Sequence, residues 1–308
     1  MAQFPPSLKK GGTIGIVAPA CHARSDWNKK GRALLEKQGY QVVFHAQNKL
    51  RDGQLGGPDK ARAKALLDMF SDPRIDAIFC ARGGNGSIRL LDKLDYKKIK
   101  RHPKPLVGFS DITLLLQSIT KRCGFVTYHG PMMWNFAHKH DPRTLTDLLK
   151  LLSGGKKRSQ SFKVKTERPG HAKGILVGGN IALLQSLIGT ANDWSGKGSI
   201  LFLEDTDEPL YRLDRMLRHM MQAGKFKGVK AVLVGEMTNI SDGESGHVRK
   251  GDKPYGKSLR QIILDVVPEN IPLCFDFPCG HGEYLTTLPV GARTTLTLSK
   301  GKAKLSFS

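Results

Sequence analysis

Short apolar runs alternate with amphipathic stretches through the first half of the chain. Thr13-Ile-Gly-Ile-Val-Ala18 predicts a buried strand. Asn28 to Lys37 predicts a helix stopped by Gly39, and Gln41-Val-Val-Phe44 a second strand. From Asp59 to Phe70, apolar Ala61, Ala65, Leu66, Met69 and Phe70 recur on roughly one helical face. Ile75 to Ala81 predicts a strand, followed by a glycine turn and a helix around Ile88 to Leu94. Pro105-Leu-Val-Gly-Phe109 is a further strand, and a helical pattern runs from Asp111 to Ile119. Strands alternating with helices in this way predict a mostly parallel sheet covered on both faces.

The pattern changes at Ser153-Gly154-Gly155 and stays polar and basic to about Lys173. That places an N-terminal domain at 1–155, a basic linker at 156–173 and a smaller C-terminal α/β domain at 174–308. The second half opens with a strand at Gly174 to Gly178 and a helix at Asn180 to Leu187. Ser199-Ile-Leu-Phe-Leu203 is an apolar strand that runs into Glu204-Asp205. Leu210, Leu213, Leu217, Met220 and Met221 mark an amphipathic helix with Pro209 near its start. Lys230 to Val234 and Ile271 to Phe277 are strands, and the polar, glycine-rich stretch from Asn239 to Tyr255 is a loop. Thr294 to Ser299 and Lys302 to Phe307 alternate around Lys300-Gly301, the pattern of a terminal hairpin.

Composition narrows the class. With 308 residues, 39% of them hydrophobic, the chain is long enough for two packed domains. The first residues lack the apolar core of a signal peptide, and no run reaches the roughly 18 apolar residues of a membrane helix. A cytoplasmic protein is expected. The five cysteines are scattered without a CxxC pair, which argues for reduced packing thiols over a disulfide framework or zinc site. The histidines show no HExxH spacing, so no metal is expected. A formal charge of +22 invites a polyanionic partner. Its basic residues are dispersed, however, with the densest cluster at Lys156-Lys157-Arg158, and no RNA-recognition or helix-turn-helix pattern accompanies them. The charge therefore reads as a solvated surface, with no specific nucleic-acid partner and no membrane partner.

Gly108-Phe109-Ser110-Asp111 carries the chemistry. It places a serine at a strand-to-helix corner, where the hydroxyl stands clear of the sheet and the first helical amides favour developing negative charge. Such a serine needs a base, and the base an orienting group. His281, between Gly280 and Gly282, and Glu204, at the end of an apolar strand, fit those roles. Each residue also has a simpler use. Ser110 suits a helix N-cap, His281 a loop, and Glu204 a surface or capping carboxylate. Ala81-Arg82-Gly83-Gly84-Asn85-Gly86 joins a strand to a helix and exposes backbone N–H groups. It is neither GxGxxG, since Arg89 stands where the third glycine belongs, nor a Walker loop. A tight turn and an oxyanion role both remain open. The serine motif is not GxSxG either, which argues against an ordinary α/β-hydrolase.

Taken together these segments resemble one family. The Gly-Phe-Ser110-Asp corner, the Ala-Arg-Gly-Gly-Asn-Gly turn, Leu203-Glu204-Asp205 with Glu208-Pro209-Leu-Tyr211-Arg212, and Gly280-His281-Gly282 with Thr287-Leu-Pro-Val-Gly291 are similar to the LD-carboxypeptidases, a family of serine peptidases. Gly15-Ile-Val-Ala-Pro19 and Tyr128-His-Gly-Pro131 also fit. The resemblance implies an N-terminal α/β domain, a smaller C-terminal domain and a triad of Ser110, His281 and Glu204. It implies an oxyanion hole at the Asp111 amide and Gly84, and no cofactor. It departs at Asn85, where the family often carries an aromatic. The implied reaction releases terminal D-alanine from a murein tetrapeptide during cell-wall recycling, by a homodimer. A basic residue must hold the product carboxylate, and Arg82 and Arg212 are the candidates. A related activity, inactivation of microcin-C-type peptidyl nucleotides, and a non-catalytic polyanion binder are the alternatives.

Overall fold

The computed structural model describes residues 2–138, 140–154, 159–241 and 255–308. The chain divides into two compact units. One comprises Met1–Arg158 and Glu283–Ala292, the other Ser159–Gly282 and Arg293–Ser308. In chain order the strands are β1 (Thr13–Val17), β2 (Gln41–Phe44), β3 (Ala77–Cys80), β4 (Leu106–Gly108), β5 (Thr127–His129), β6 (Ser159–Lys163), β7 (Lys165–Arg168), β8 (Gly170–Asn180), β9 (Ser199–Thr206), β10 (Ala231–Thr238), β11 (Leu273–Phe277), β12 (Leu288–Val290), β13 (Arg293–Ser299) and β14 (Lys302–Phe307).

The first unit is built on a sheet of order β12-β5-β4-β3-β1-β2. All neighbours are parallel except β12, which runs antiparallel to β5. β3 and β4 are buried throughout, as continuous apolar strands under helices must be. The helix Asp59–Ser71 buries Ala65, Leu66, Met69 and Phe70 as its periodicity predicts, and Thr113–Cys123 follows β4. The second unit has a mixed sheet, β6-β14-β13-β8-β9-β10-β11-β7. Its centre, β8 to β11, is parallel, and its flanks are antiparallel and include the terminal pair β13–β14. Both units are α/β, as the alternation of elements predicts. Among the described residues no helix is long and apolar enough to cross a membrane.

Three expectations need correction. The basic stretch 156–173 is not a linker over its described part. Residues 159–173 form β6, β7 and the start of β8, with Phe162 and Val164 buried. β6 pairs with β14, and β7 with β11. Lys156, Lys157 and Arg158 lie outside the described residues, as do 242–254 of the predicted 239–255 loop. Second, the segment after His281 does not stay with its domain. Glu283–Ala292 belongs to the first unit, where β12 pairs with β5 and the Leu285 N–H donates to Thr144 Oγ1 at 3.1 Å. Third, the helix expected at Ile88–Leu94 is only a 3-10 turn, Ser87–Leu90. Its entry residue Gly86 is left-handed and offers no side-chain cap, whereas Asp95 caps the next helix, Tyr96–Arg101, by accepting the Lys98 N–H at 2.9 Å.

Candidate active site

The serine sits on strained backbone. β4 ends at Gly108, Phe109 is extended, and Ser110 turns left-handed at φ +60° before the chain enters the helix Thr113–Cys123. A non-glycine residue in that region costs about 1–3 kcal/mol and persists only where its surroundings hold it. Asp111 supplies part of that hold. Its carboxylate accepts the Ser87 N–H at 2.9 Å, and the Ser87 hydroxyl donates to the Asp111 carbonyl at 2.6 Å. Burial pushes the Asp111 carboxyl above its ordinary range, while the Ser87 donors and Arg62 pull the other way. The side chain after the serine is thus a buried tie to the turn after β3.

That turn lies against the serine. A Cβ added at Gly83 would come within 3.1 Å of Ser110 Cβ and 3.2 Å of its Oγ. Gly84 is left-handed at φ +107°, and a Cβ there would meet the Cys21 sulfur. Among the described residues neither the Gly84 N–H nor the Asp111 N–H makes a backbone hydrogen bond. Arg62, fully buried, anchors the turn from below by donating to the Gly86 carbonyl at 2.9 Å and to the Gly57 carbonyl at 3.0 Å, with Asp59 as its counter-ion. Arg82 is half-buried, its guanidinium 5.3 Å from the centre of the Trp27 ring. Asn85 donates to Gln54 Oε1 at 3.1 Å.

The second unit brings Glu204 and His281 together. Glu204 lies within β9, not beyond its end, and its side chain is fully buried. His281 follows β11 in the Cys279–Gly282 loop, and its Nδ1 stands 2.9 Å from Glu204 Oε2. A carboxylate only accepts, so Nδ1 carries the proton and Nε2 is the basic nitrogen of the neutral ring. Burial opposes charging the imidazole, but the hydrogen bond to Glu204 and the carboxylates of Glu204, Asp205 and Asp207 outweigh it and raise its pKa above 6.5. Glu204 Oε1 is buried without a hydrogen-bond partner among the described residues. Its neighbour Asp205 is pushed up to about 7, by burial first and then by the Glu204 charge. Asn180 Nδ2 (2.8 Å) and the N–H groups of Ala182 and Thr206 partly offset this.

The histidine loop is gripped by a residue that the sequence does not single out. Glu236, near the end of β10, accepts the Gly280 N–H at 2.9 Å. A Cβ at Gly282 would fall 2.6 Å from Glu236 Oε1. The glycines on either side of His281 are thus the positions where this carboxylate fits. Cys279 is fully buried and its thiol is held well above the ordinary range by burial, consistent with a wall residue. Arg212, on the helix Leu210–Gln222, is ion-paired with Glu208 at 3.3 Å.

Family comparison decides the class. Residues 14–130 match the LD-carboxypeptidase N-terminal domain, and residues 173–296 the LD-carboxypeptidase C-terminal domain. The chain belongs to the LD-carboxypeptidase family. It is 34% identical to a probable murein peptide carboxypeptidase of Bacillus subtilis, over 97% of this chain and 93% of that one. The microcin C7 self-immunity protein MccF of Escherichia coli is 25% identical, over 94% and 91%. The crystal structure of a muramoyltetrapeptide carboxypeptidase from Oxalobacter formigenes superimposes with a TM-score of 0.83 at 27% identity, over 96% of this chain and 98% of that one. For this LD-carboxypeptidase family member, Arg62, Ser87 and Glu236 are the supporting residues that sequence reading missed. Only Arg62 left a signal: it precedes Leu66 and Met69 by one and two helical turns, which puts a charge on the buried face.

Proposed function

We propose that the chain is a serine LD-carboxypeptidase that releases terminal D-alanine from a murein tetrapeptide. The observation that carries this reading is the buried Glu204–His281 pair at 2.9 Å, which fixes the tautomer a general base needs. Ser110 attacks the carbonyl between the L-configured centre and D-alanine while His281 Nε2 takes its proton. Glu204 orients the ring and stabilises its charged form. The N–H groups of Asp111 and Gly84 receive the tetrahedral oxyanion, and each such donor contributes on the order of a hundredfold or more in rate. His281 then protonates the departing amine, and water releases the acyl group from Ser110.

Exopeptidase action needs a cation for the product carboxylate. Arg82 suits this role better than Arg212. Its guanidinium rests on an aromatic ring and has no carboxylate partner among the described residues, whereas Arg212 is matched by Glu208. On this reading the reaction serves cytoplasmic cell-wall recycling and the enzyme acts as a homodimer, which the family resemblance supports. The match to MccF makes a processed microcin the competing substrate. The test is D-alanine release from murein tetrapeptide by wild type and Ser110→Ala, with a processed microcin assayed in parallel. Release by wild type alone is expected. Equal release by both proteins removes the serine mechanism, and turnover of the microcin alone removes the recycling role.

A further inference from the structure

Arg82 opens the turn after β3, one residue ahead of the glycine that lies against Ser110. A Cβ built at Gly84 would stand 3.9 Å from Arg82 Nη2. The guanidinium therefore turns back beside the residue whose N–H receives the oxyanion in the mechanism above. In a peptide that ends in D-alanine, the carboxylate carbon lies two bonds beyond the scissile nitrogen. A cation that recognises this end must stand within a few ångströms of the oxyanion donors.

Trp27 supports the guanidinium in that place. Its ring centre is 5.3 Å from Arg82 Cζ. A second guanidinium, that of Arg24, lies 5.6 Å from the same ring, but its Nε donates to Asp26 Oδ1 at 3.1 Å. Arg82 has no carboxylate partner among the described residues. Contact with a ring face occupies the plane of a guanidinium and leaves its N–H edge for a planar carboxylate. A free arginine side chain carries about 2 kcal/mol of rotamer entropy, and a support already in place lowers the ordering cost on binding.

The Trp27 ring is itself braced, and the brace returns to the chain beside Arg82. His138 meets Trp27 edge-on, with ring centres 5.3 Å apart at 64°, and stacks on Trp134 at 4.5 Å and 30°. His138 Nδ1 lies 2.7 Å from the Trp134 carbonyl, which only accepts, so Nδ1 donates. The Trp134 N–H donates to the carbonyl of Ala81, the residue before Arg82, at 3.0 Å. Trp27 and Trp134 come from the helices Ser25–Lys37 and Met133–Ala137, which approach closely at Gly31: a Cβ there would fall 2.6 Å from Met133 Cε. Resting on the carboxypeptidase reading, we propose that Trp27 is a positioning residue for specificity, which holds the Arg82 guanidinium beside Gly84 for the terminal carboxylate of the peptide.

The test compares D-alanine release from murein tetrapeptide with D-alaninamide release from its C-terminal amide, for wild type, Trp27→Leu, Trp27→Phe and Arg82→Gln. Wild type should favour the carboxylate over the amide by about tenfold to a hundredfold in kcat/KM, and Arg82→Gln should lose most of that preference. Trp27→Leu should raise KM for the tetrapeptide about fivefold, keep kcat within about twofold and leave the amide unaffected. Trp27→Phe should recover much of the loss. The amide uses the same Ser110 and His281, so its unaltered turnover also shows that the variant is folded. A tetrapeptide KM that Trp27→Leu leaves unchanged overturns the proposal. So does an equal loss on tetrapeptide and amide, or a Trp27→Phe protein no better than Trp27→Leu. A wild type that releases no D-alanine removes the carboxypeptidase reading instead, and the role of Trp27 with it.

Discussion

The corner at Ser110 and the strand that carries Glu204 prepare their groups by opposite means. At the corner the work is done by backbone: a left-handed serine, a left-handed Gly84, and a glycine at 83 that leaves room for the hydroxyl. The charge nearby, Asp111 and Arg62, faces inward and ties turns together. In β9 the backbone is regular and the work is done by buried charge: Glu204 against His281, with Asp205 beside it and Glu236 under the loop. The first arrangement stores strain, and the second stores desolvation. Substitutions should therefore behave differently in the two places.

The largest effect is expected at the corner. Ser110→Gly removes the hydroxyl and also the left-handed strain. D-alanine release should fall by about 10⁵-fold or more, while unfolding free energy should change by no more than about 1 kcal/mol and not fall. A Ser110→Gly protein that is strongly destabilised would show that the serine side chain, not its setting, holds the corner together.

Glu204→Gln comes next. The amide keeps a hydrogen bond to the ring but loses the charge that stabilises imidazolium, so kcat should drop by about a thousandfold or more. The pH profile sharpens the point. In the proposed mechanism His281 serves as a base only when neutral, so activity should rise with pH through a midpoint above 6.5. With Glu204 neutralised, burial dominates and that midpoint should move down. An unmoved acid limb would mean that Glu204 does not set the charge of His281.

The two regions also differ in how far their sequence reveals them. The Ser110 corner is legible because its determinants are local: an apolar run, a serine and a helical pattern within a few residues. β9 is legible as an apolar strand, although it continues through Glu204 and Asp205 because β8 and β10 pair with it on both sides. Glu236 leaves no local mark, since its meaning arises only when β10 and the His281 loop meet. β6 and β7 read as a linker because they are basic, and their pairing partners, β14 and β11, lie far along the chain. β12 is a short strand with Pro289 at its centre, tolerable at a sheet edge and unreadable without β5.

A third prediction isolates the loop. Glu236→Ala frees the Gly280 N–H and the space beside Gly282, so the imidazole is held less closely. Turnover should fall by about a hundredfold with little change in KM, and Glu236→Gln should restore most of it by accepting the same N–H. Failure of Glu236→Gln to rescue would show that the charge, not the grip, matters.

Asp205→Asn should disturb turnover least and stability most tellingly. Asp205 is held near 7 in the folded chain, far above the 3.8 of an ordinary aspartate. Between those values the folded chain retains a proton that the unfolded chain has lost. Stability from this group is therefore fully present below about 3.8 and is lost as pH rises through about 7, a change on the order of 4 kcal/mol. Asparagine does not titrate, so the variant lacks this slope. Its unfolding free energy relative to wild type should climb from pH 4 to pH 7 and level off above, while D-alanine release at pH 8 falls by less than about tenfold. A difference that stays flat across that window would mean that Asp205 is ionised throughout, and that the second unit tolerates two adjacent buried charges where this reading allows one.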